Sequence, residues 1–464
     1  MKRTLLALIA AIVSLGSAGP LSACTSAVIS GKVTPDGRPL LWKNRDTDFL
    51  QNSVRYFSGG RYPFVAVVNS VEDNPTDVWI GTNAAGFSIM NTQSYNLVEL
   101  KPGEERGEAN GRVMRRALEV CATVKDFRQF LDTLSKPSLI EANFGVIDAK
   151  GGAAMFEVDY YEYVMYDANN PKDAPCGYIA RTNFSFSGKV NEGAGYVRFM
   201  QEDKLLMPAS ATGQITPQWI FRELSRSFAN PLLGIDLKSG DFNRPKTTGW
   251  FVDQDFIARS STASSVVVQG VKEGERPELT TMWTILGYPP TGVAMPVWVK
   301  GADKALPRLL VRDEAKKASP LGNWSVILAG DVFSYGQGMG SNRYMNWERL
   351  YNADKNGYMQ LLAPVEDEVF RRTVPVLKEW RRKGEADVKA MQSLYNELDA
   401  FIEAEYAELF EFKLLIIDFI HETQTDYLHF RSLSGACRKC AGAKQENVSE
   451  RLDRFQQERG EGHL

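Results

Sequence analysis

Cys24 opens the segment Cys24-Thr25-Ser26-Ala27-Val28-Ile29, and the 23 residues before it have the order of a secretory leader. Lys2-Arg3 is followed by an apolar run from Leu5 to Leu15, then by small residues at Ser17, Ala18 and Ala23. Removing the leader would make Cys24 the amino terminus, and a terminal cysteine carries its own base. The thiol is the nucleophile, and the new α-amine, with an unperturbed pKa of about 7.7 to 8.0, can take its proton. Leu21-Ser22-Ala23-Cys24 also has the form of a lipobox, in which the sulfur is alkylated by diacylglycerol and becomes a membrane anchor. The two fates exclude each other, because a thioether cannot attack a carbonyl and an acylated amine cannot act as a base. Both predict an exported chain, periplasmic or secreted in the first case and membrane-anchored in the second.

Other hydrolytic chemistries find few residues to use. All three histidines, His421, His429 and His463, lie near the C-terminal end, far in sequence from any candidate partner. A Ser-His-Asp triad, a Cys-His dyad or a histidine zinc site would have to borrow from that region. There is no GxSxG, HExxH or GxxxxGK[ST] pattern. We therefore expect neither metal nor cofactor. With 54 Lys and Arg against 57 Asp and Glu, the formal net charge of −3 gives no electrostatic reason to expect nucleic acid. Five cysteines do not make a disulfide scaffold in 464 residues, and the Cys437/Cys440 pair is one CxxC without a second.

The elements that must position Cys24 begin with a hairpin. Thr25 to Val33 is rich in β-branched residues, Thr34-Pro35-Asp36-Gly37 is turn material, and Pro39-Leu40-Leu41-Trp42 resumes an apolar strand. A three-residue Pro-Asp-Gly loop would pair Thr34 with Arg38 and set Ser26 opposite Asp46. Cys24 would then share a sheet face with Asp46, one diagonal step away, where the carboxylate could hold the α-ammonium and steer the thiol.

This arrangement resembles the N-terminal nucleophile hydrolases, within them the group containing choloylglycine hydrolases and acyl-CoA:6-aminopenicillanate acyltransferases. The resemblance is carried by Cys24-Thr25, a strand, Asp36-Gly37, a second strand and Asn44-Arg45-Asp46. It continues through Trp79-Ile80-Gly81-Thr82-Asn83-Ala84-Ala85-Gly86-Phe87-Ser88-Ile89-Met90-Asn91, Arg181-Thr182-Asn183 and Trp283-x-x-x-Gly287, in family order from Cys24 to about residue 330. It implies Cys24 as nucleophile and Asp46 beside it. Asn91 would serve an oxyanion hole, and Asn183 either the same hole or the orientation of the α-amine. An oxyanion needs fixed donors about 2.7 to 3.1 Å away, and an uncharged carboxamide NH2 meets that need. The family's arginine near the nucleophile is a lysine here, Lys43, or is shifted by two to Arg45, and its later arginine corresponds to Arg259. Lysine cannot reproduce a guanidinium fork, which puts bile-salt hydrolysis in doubt more than it does the reaction class. The implied activity is cleavage of a linear amide C-N bond of a small molecule, or acyl transfer from it.

Strand character at Val65 to Ser70, Phe87 to Thr92, Phe144 to Asp148, Ala153 to Val158 and Tyr163 to Asp167 is interrupted by one or two helices over Arg112 to Leu134. Met282 to Gly287 and Val293 to Val299 read as closing strands. The expected fold class is α+β, a four-layer αββα sandwich of the kind the resemblance implies, with a C-terminal helical extension. The expected organisation is a leader over 1–23, a hydrolase-like domain over 24–330 and a mostly helical extension over 331–464. In that extension Met391, Leu394, Tyr395, Leu398, Phe401, Ile402, Tyr406, Leu409 and Phe410 recur at three- and four-residue spacing. Leu414 to Ile417 reads as a buried helix face and the tail from Gln445 as exposed helix or disorder. The helices would cover the core domain or a partner subunit, so a homo-oligomer stays open.

Overall fold

The computed structural model describes residues 23–100, 106–107, 109–242, 249–253, 255–333 and 344–410. The leader before Ala23, the three histidines, Leu414 to Ile417, the Cys437/Cys440 pair and the charged tail lie outside these residues. Two antiparallel sheets carry the architecture. In the first, strands β1 (Thr25–Ile29), β2 (Leu40–Asp46), β10 (Tyr178–Arg181), β11 (Thr262–Gln269), β12 (Thr281–Leu286) and β13 (Met295–Val297) are ordered β10-β1-β2-β11-β12-β13. The second is a meander of seven consecutive strands: β3 (Asn52–Phe57), β4 (Phe64–Asn69), β5 (Ile80–Asn83), β6 (Ser88–Gln93), β7 (Ala142–Ile147), β8 (Ala153–Val158) and β9 (Tyr163–Asp167).

The sheets lie face to face. Gly145 in β7 has room only for hydrogen, since a Cβ there would stand 2.8 Å from Val28 of β1 and 3.0 Å from Leu41 of β2. Every residue of β1, β2, β4, β7, β8, β11 and β12 is buried. These strands therefore read as continuous apolar or mixed runs, not as alternating ones, because helices cover the sheets' outer faces.

On the seven-stranded sheet the helical segment divides into α1 (Asn110–Val120) and α2 (Val124–Asp132). The break follows from a capping box at Thr123, whose side chain accepts from the Asp126 amide while the Asp126 carboxylate accepts from Thr123 N at 3.0 Å. Met114, Ala117 and Leu118 of α1 and Phe127 and Leu131 of α2 join Phe64, Ala66, Phe87, Ile89, Phe144 and Phe156 in one core. Phe127 meets the rings of Phe144 and Phe156 edge-on at 5.8 and 5.2 Å. Asn83 ties this layer to the sheet by donating to Leu118 O at 2.8 Å and Cys121 O at 2.7 Å.

After α4 (Pro320–Val332), α5 (Tyr358–Lys383) and α6 (388–410) cover the six-stranded sheet. Trp283 of β12 stacks on Phe370 of α5 at 4.3 Å, and Trp298 packs between Trp380 at 5.1 Å and Tyr395 at 5.6 Å. The apolar stripe of α6 is buried at Met391, Leu394, Tyr395, Leu398, Ile402 and Tyr406 and half-buried at Phe401 and Leu409. The fold is thus the expected αββα sandwich, and the helices at 358–410 form its outer layer. Among the described residues no helix is long and apolar enough to cross a membrane.

The first hairpin departs from the expected register. Ser26 pairs with Lys43 and Thr25 with Asn44, three residues away from the Ser26-Asp46 pairing that a tight loop would give. The connection is longer because a 3-10 turn, Gly31–Val33, forms under a Ser30 cap and precedes the Thr34 to Gly37 turn. An odd shift reverses the faces, so Lys43, and with it Arg45, share the face of Ser26, and Asp46 does not.

The aromatic core under α2 sets a stability expectation. Phe127→Ala should cost about 3–5 kcal/mol, read as a fall in the urea midpoint, while exposed Val190→Ala should stay within about 0.5 kcal/mol of the parent.

Candidate active site

Cys24 immediately precedes β1 and is 4% exposed, so its thiol and main chain lie inside the sandwich. β10 runs alongside β1 with Ser26 paired to Arg181, and two residues beyond the end of β10 the chain reaches Asn183 beside Cys24. Asn183 Oδ1 accepts from Cys24 N at 2.9 Å, and its Nδ2 donates to Gln93 O at 2.9 Å, at the end of β6 in the facing sheet. One carboxamide thereby holds the Cys24 main chain and joins the two sheets.

The segment that carries Asn183 is clamped from three directions. Asn143 Nδ2 donates to the carbonyls of Thr182 and Phe184 at 3.4 and 3.2 Å. Asn96 Oδ1 accepts from Ser185 N at 2.8 Å. Glu157, fully buried, takes Arg181 Nε at 2.6 Å, Phe186 N at 2.8 Å and Ser187 N at 2.7 Å. Removing any one clamp would leave buried backbone donors or acceptors unpaired.

From β2, Lys43 and Arg45 point toward the facing sheet. Lys43 Nζ donates to Asn91 Oδ1 at 2.8 Å and to Trp79 O at 3.1 Å. An ammonium has no acceptor, so this contact fixes the Asn91 amide with its oxygen on Lys43 and its Nδ2 free to serve as the donor. Burial pushes the Lys43 amine down to about 8, against the pull of the Cys24 thiol; Arg45 nearby lowers it further. Arg45 turns away to Asn52 and to Asn69 at 2.8 Å and lies 4.2 Å over the Trp79 ring. Burial pushes its guanidinium down to about 9.

Asp46 belongs to the opposite group. Its Oδ2 takes Arg259 Nη2 at 2.7 Å and Nε at 3.1 Å, and its Oδ1 takes the Thr262 hydroxyl at 2.6 Å. Burial disfavours the charge on Arg259, but the Asp46 carboxylate outweighs it and the guanidinium is held above its ordinary value. The structure therefore joins Cys24 with Asn183, Lys43 with Asn91, and Asp46 with Arg259. Arg45 makes none of these hydrogen bonds.

Sequence reasoning missed Arg198, on α3 (Tyr196–Ala211), which is 2% exposed. Its Nη1 donates to Cys24 O at 2.6 Å and Thr25 Oγ1 at 2.7 Å, and its Nη2 to Asn183 Oδ1 at 2.8 Å. The one trace of it in the sequence is Gly195, with φ +86°, where a Cβ would stand 2.4 Å from Arg198 Nη2. Tyr95 was missed as well. Burial and the neighbouring Cys24 hold its hydroxyl well above the usual tyrosine range. Among the described residues no three His, Cys, Asp or Glu side chains group as metal ligands. The arrangement offers a buried thiol, a main-chain nitrogen held by a carboxamide, and a second carboxamide with a fixed donor.

No protein-family model and no curated protein matches the chain. Solved structures do. A conjugated bile acid hydrolase variant from Clostridium perfringens is 11% identical, with 60% of this chain and 93% of that one covered at a TM-score of 0.37. An N-acylethanolamine-hydrolyzing acid amidase ortholog from Caenorhabditis elegans is 13% identical, covering 55% and 93% at 0.32. Penicillin V acylase from Agrobacterium tumefaciens is 13% identical, covering 59% and 85% at 0.32. At these identities and TM-scores the likeness does not bear on activity, and the geometry around Cys24 has to.

Lys43 sets a pH expectation. Its amine titrates at about 8 in the folded chain against 10.5 when unfolded, so between those values the unfolded state binds more protons and stability rises with pH. Urea midpoints measured from pH 8 to 10.5 should climb through this interval, and in Lys43→Met the climb should be smaller.

Proposed function

We propose that the chain is an exported cysteine amidase that cleaves a linear amide C-N bond of a small molecule through Cys24. The observation that carries this reading is the hydrogen bond from Cys24 N to Asn183 Oδ1, made in the same buried site where Lys43 fixes the Asn91 amide. Residues 1–23 act as the export leader, and their removal frees the α-amine. The amine takes the thiol proton, the thiolate attacks the amide carbon, and the tetrahedral oxyanion is met by Asn91 Nδ2. Asn183 Oδ1 holds the α-ammonium, while Asp46 is taken by Arg259 and the Thr262 hydroxyl. That ammonium then protonates the leaving amine, and water releases the acyl group from sulfur. The burial of Cys24 and the engagement of its nitrogen and carbonyl support a free residue over a lipid-bearing one, because a diacylglyceryl chain needs a path to the membrane.

The test is intact-mass and amino-terminal analysis of protein recovered from the native envelope, followed by assay on a panel of simple N-acyl amides. An unmodified terminal Cys24 and amide cleavage are expected. A diacylglyceryl adduct, or residues 1–23 still attached to active protein, would overturn the reading. Cys24→Ala should lower kcat by at least about 10³-fold, and Asn91→Ala by about 10²- to 10³-fold with a smaller effect on KM.

A further inference from the structure

Arg198 makes three hydrogen bonds and all three partners are neutral: the Cys24 carbonyl, the Thr25 hydroxyl and the Asn183 carboxamide. Its guanidinium is pushed down by burial only to about 10 and so is charged at neutral pH. The acid one turn further along α3, Glu202, makes no hydrogen bond to it. Glu202 is fully buried, neither of its oxygens has a hydrogen-bond partner among the described residues, and burial holds its carboxyl well above the usual carboxylate range. Arg198 thus places a positive charge with no bonded counter-ion against the Cys24 main chain, and Gly195 has no side chain so that it can approach.

We infer that Arg198 is a positioning residue that locks the Cys24 main chain against Asn183 and biases the Cys24 thiol and amine toward losing a proton. This rests on the proposed amidase reading for its use of the amine, but its effect on the thiol does not. The other charged and titratable groups around Cys24 are Lys43, Arg45 and Asp46 from β2, Arg259 from the turn before β11, and Tyr95 after β6. Arg259 is paired with Asp46, and Lys43 and Arg45 are held by asparagines and a carbonyl on the facing sheet. Arg198 is the cation bonded to Cys24 itself. A thiol and an amine this close titrate as one coupled pair that shares a proton. A fixed cation destabilises the doubly protonated pair, so the sign is definite: removing the cation moves the acid limb to higher pH.

The experiment is the pH dependence of Cys24 alkylation by iodoacetamide, resolved by mass spectrometry from Cys121, Cys176, Cys437 and Cys440, in the mature protein and its variants. Arg198→Gln should raise the midpoint by about one pH unit, and Arg198→Lys, which keeps the charge, should restore most of that shift. An unchanged midpoint in Arg198→Gln, or equal shifts in both variants, would overturn the inference in favour of a packing role. Glu202→Gln keeps the test open if Arg198→Gln does not fold. It should leave the midpoint where it is, and a fall would show an ionised Glu202 that had been cancelling Arg198. Alkylation needs no substrate, so an inactive or unprocessed chain would sink the amidase reading while still scoring Arg198.

Discussion

One carboxamide oxygen, Asn183 Oδ1, accepts both from Cys24 N and from Arg198. The elements on either side of Asn183 hold that oxygen still. The β10-β1 pairing sets Asn183 beside Cys24, and the bond from its Nδ2 to Gln93 O anchors it to the facing sheet. Asn143, Asn96 and Glu157 then immobilise the residues on either side. A site with this much second-layer support trades flexibility for pre-organisation, which is what stabilising a developing charge requires.

The second constraint is electrostatic. Lys43, Arg45 and Arg198 are buried with neutral partners, and a buried charge without a counter-ion is costly. Amide and carbonyl dipoles offset part of that cost, and burial holds all three bases below their ordinary values. All three lie close enough to Cys24 to interact with it electrostatically.

The sequence made the layered fold legible because its strands and helices differ in period and because the segments ending in Asp46, Asn91 and Asn183 stand in order along the chain. The structure brings those residues into one region of the sandwich. The hairpin register was not legible. A Pro-Asp-Gly triplet favours a tight loop, and the competing cap from Ser30 onto the Gly31–Val33 turn depends on the strands' final spacing. Arg198 was invisible for another reason. An arginine inside a helix has many ordinary solvated roles, and only the close approach of α3 to β1 gives it a partner in Cys24. Arg259 was legible only through the resemblance, since nothing in the residues around it marks the Asp46 carboxylate it meets.

The two sheets also differ in how far apart in the chain their pairings lie. The seven-stranded sheet is a run of neighbours, each strand pairing with the next one along the chain. The six-stranded sheet closes contacts across 155 residues between Ser26 and Arg181 and 216 residues between Asp46 and Thr262. Loop closure must be met before such contacts return any stabilisation, so local pairings form faster than distant ones. The meander can serve as a template on which the other sheet is completed, and the chemistry sits in the part with the highest contact order. A folding defect in this chain would therefore show first as a lost site on a largely assembled scaffold.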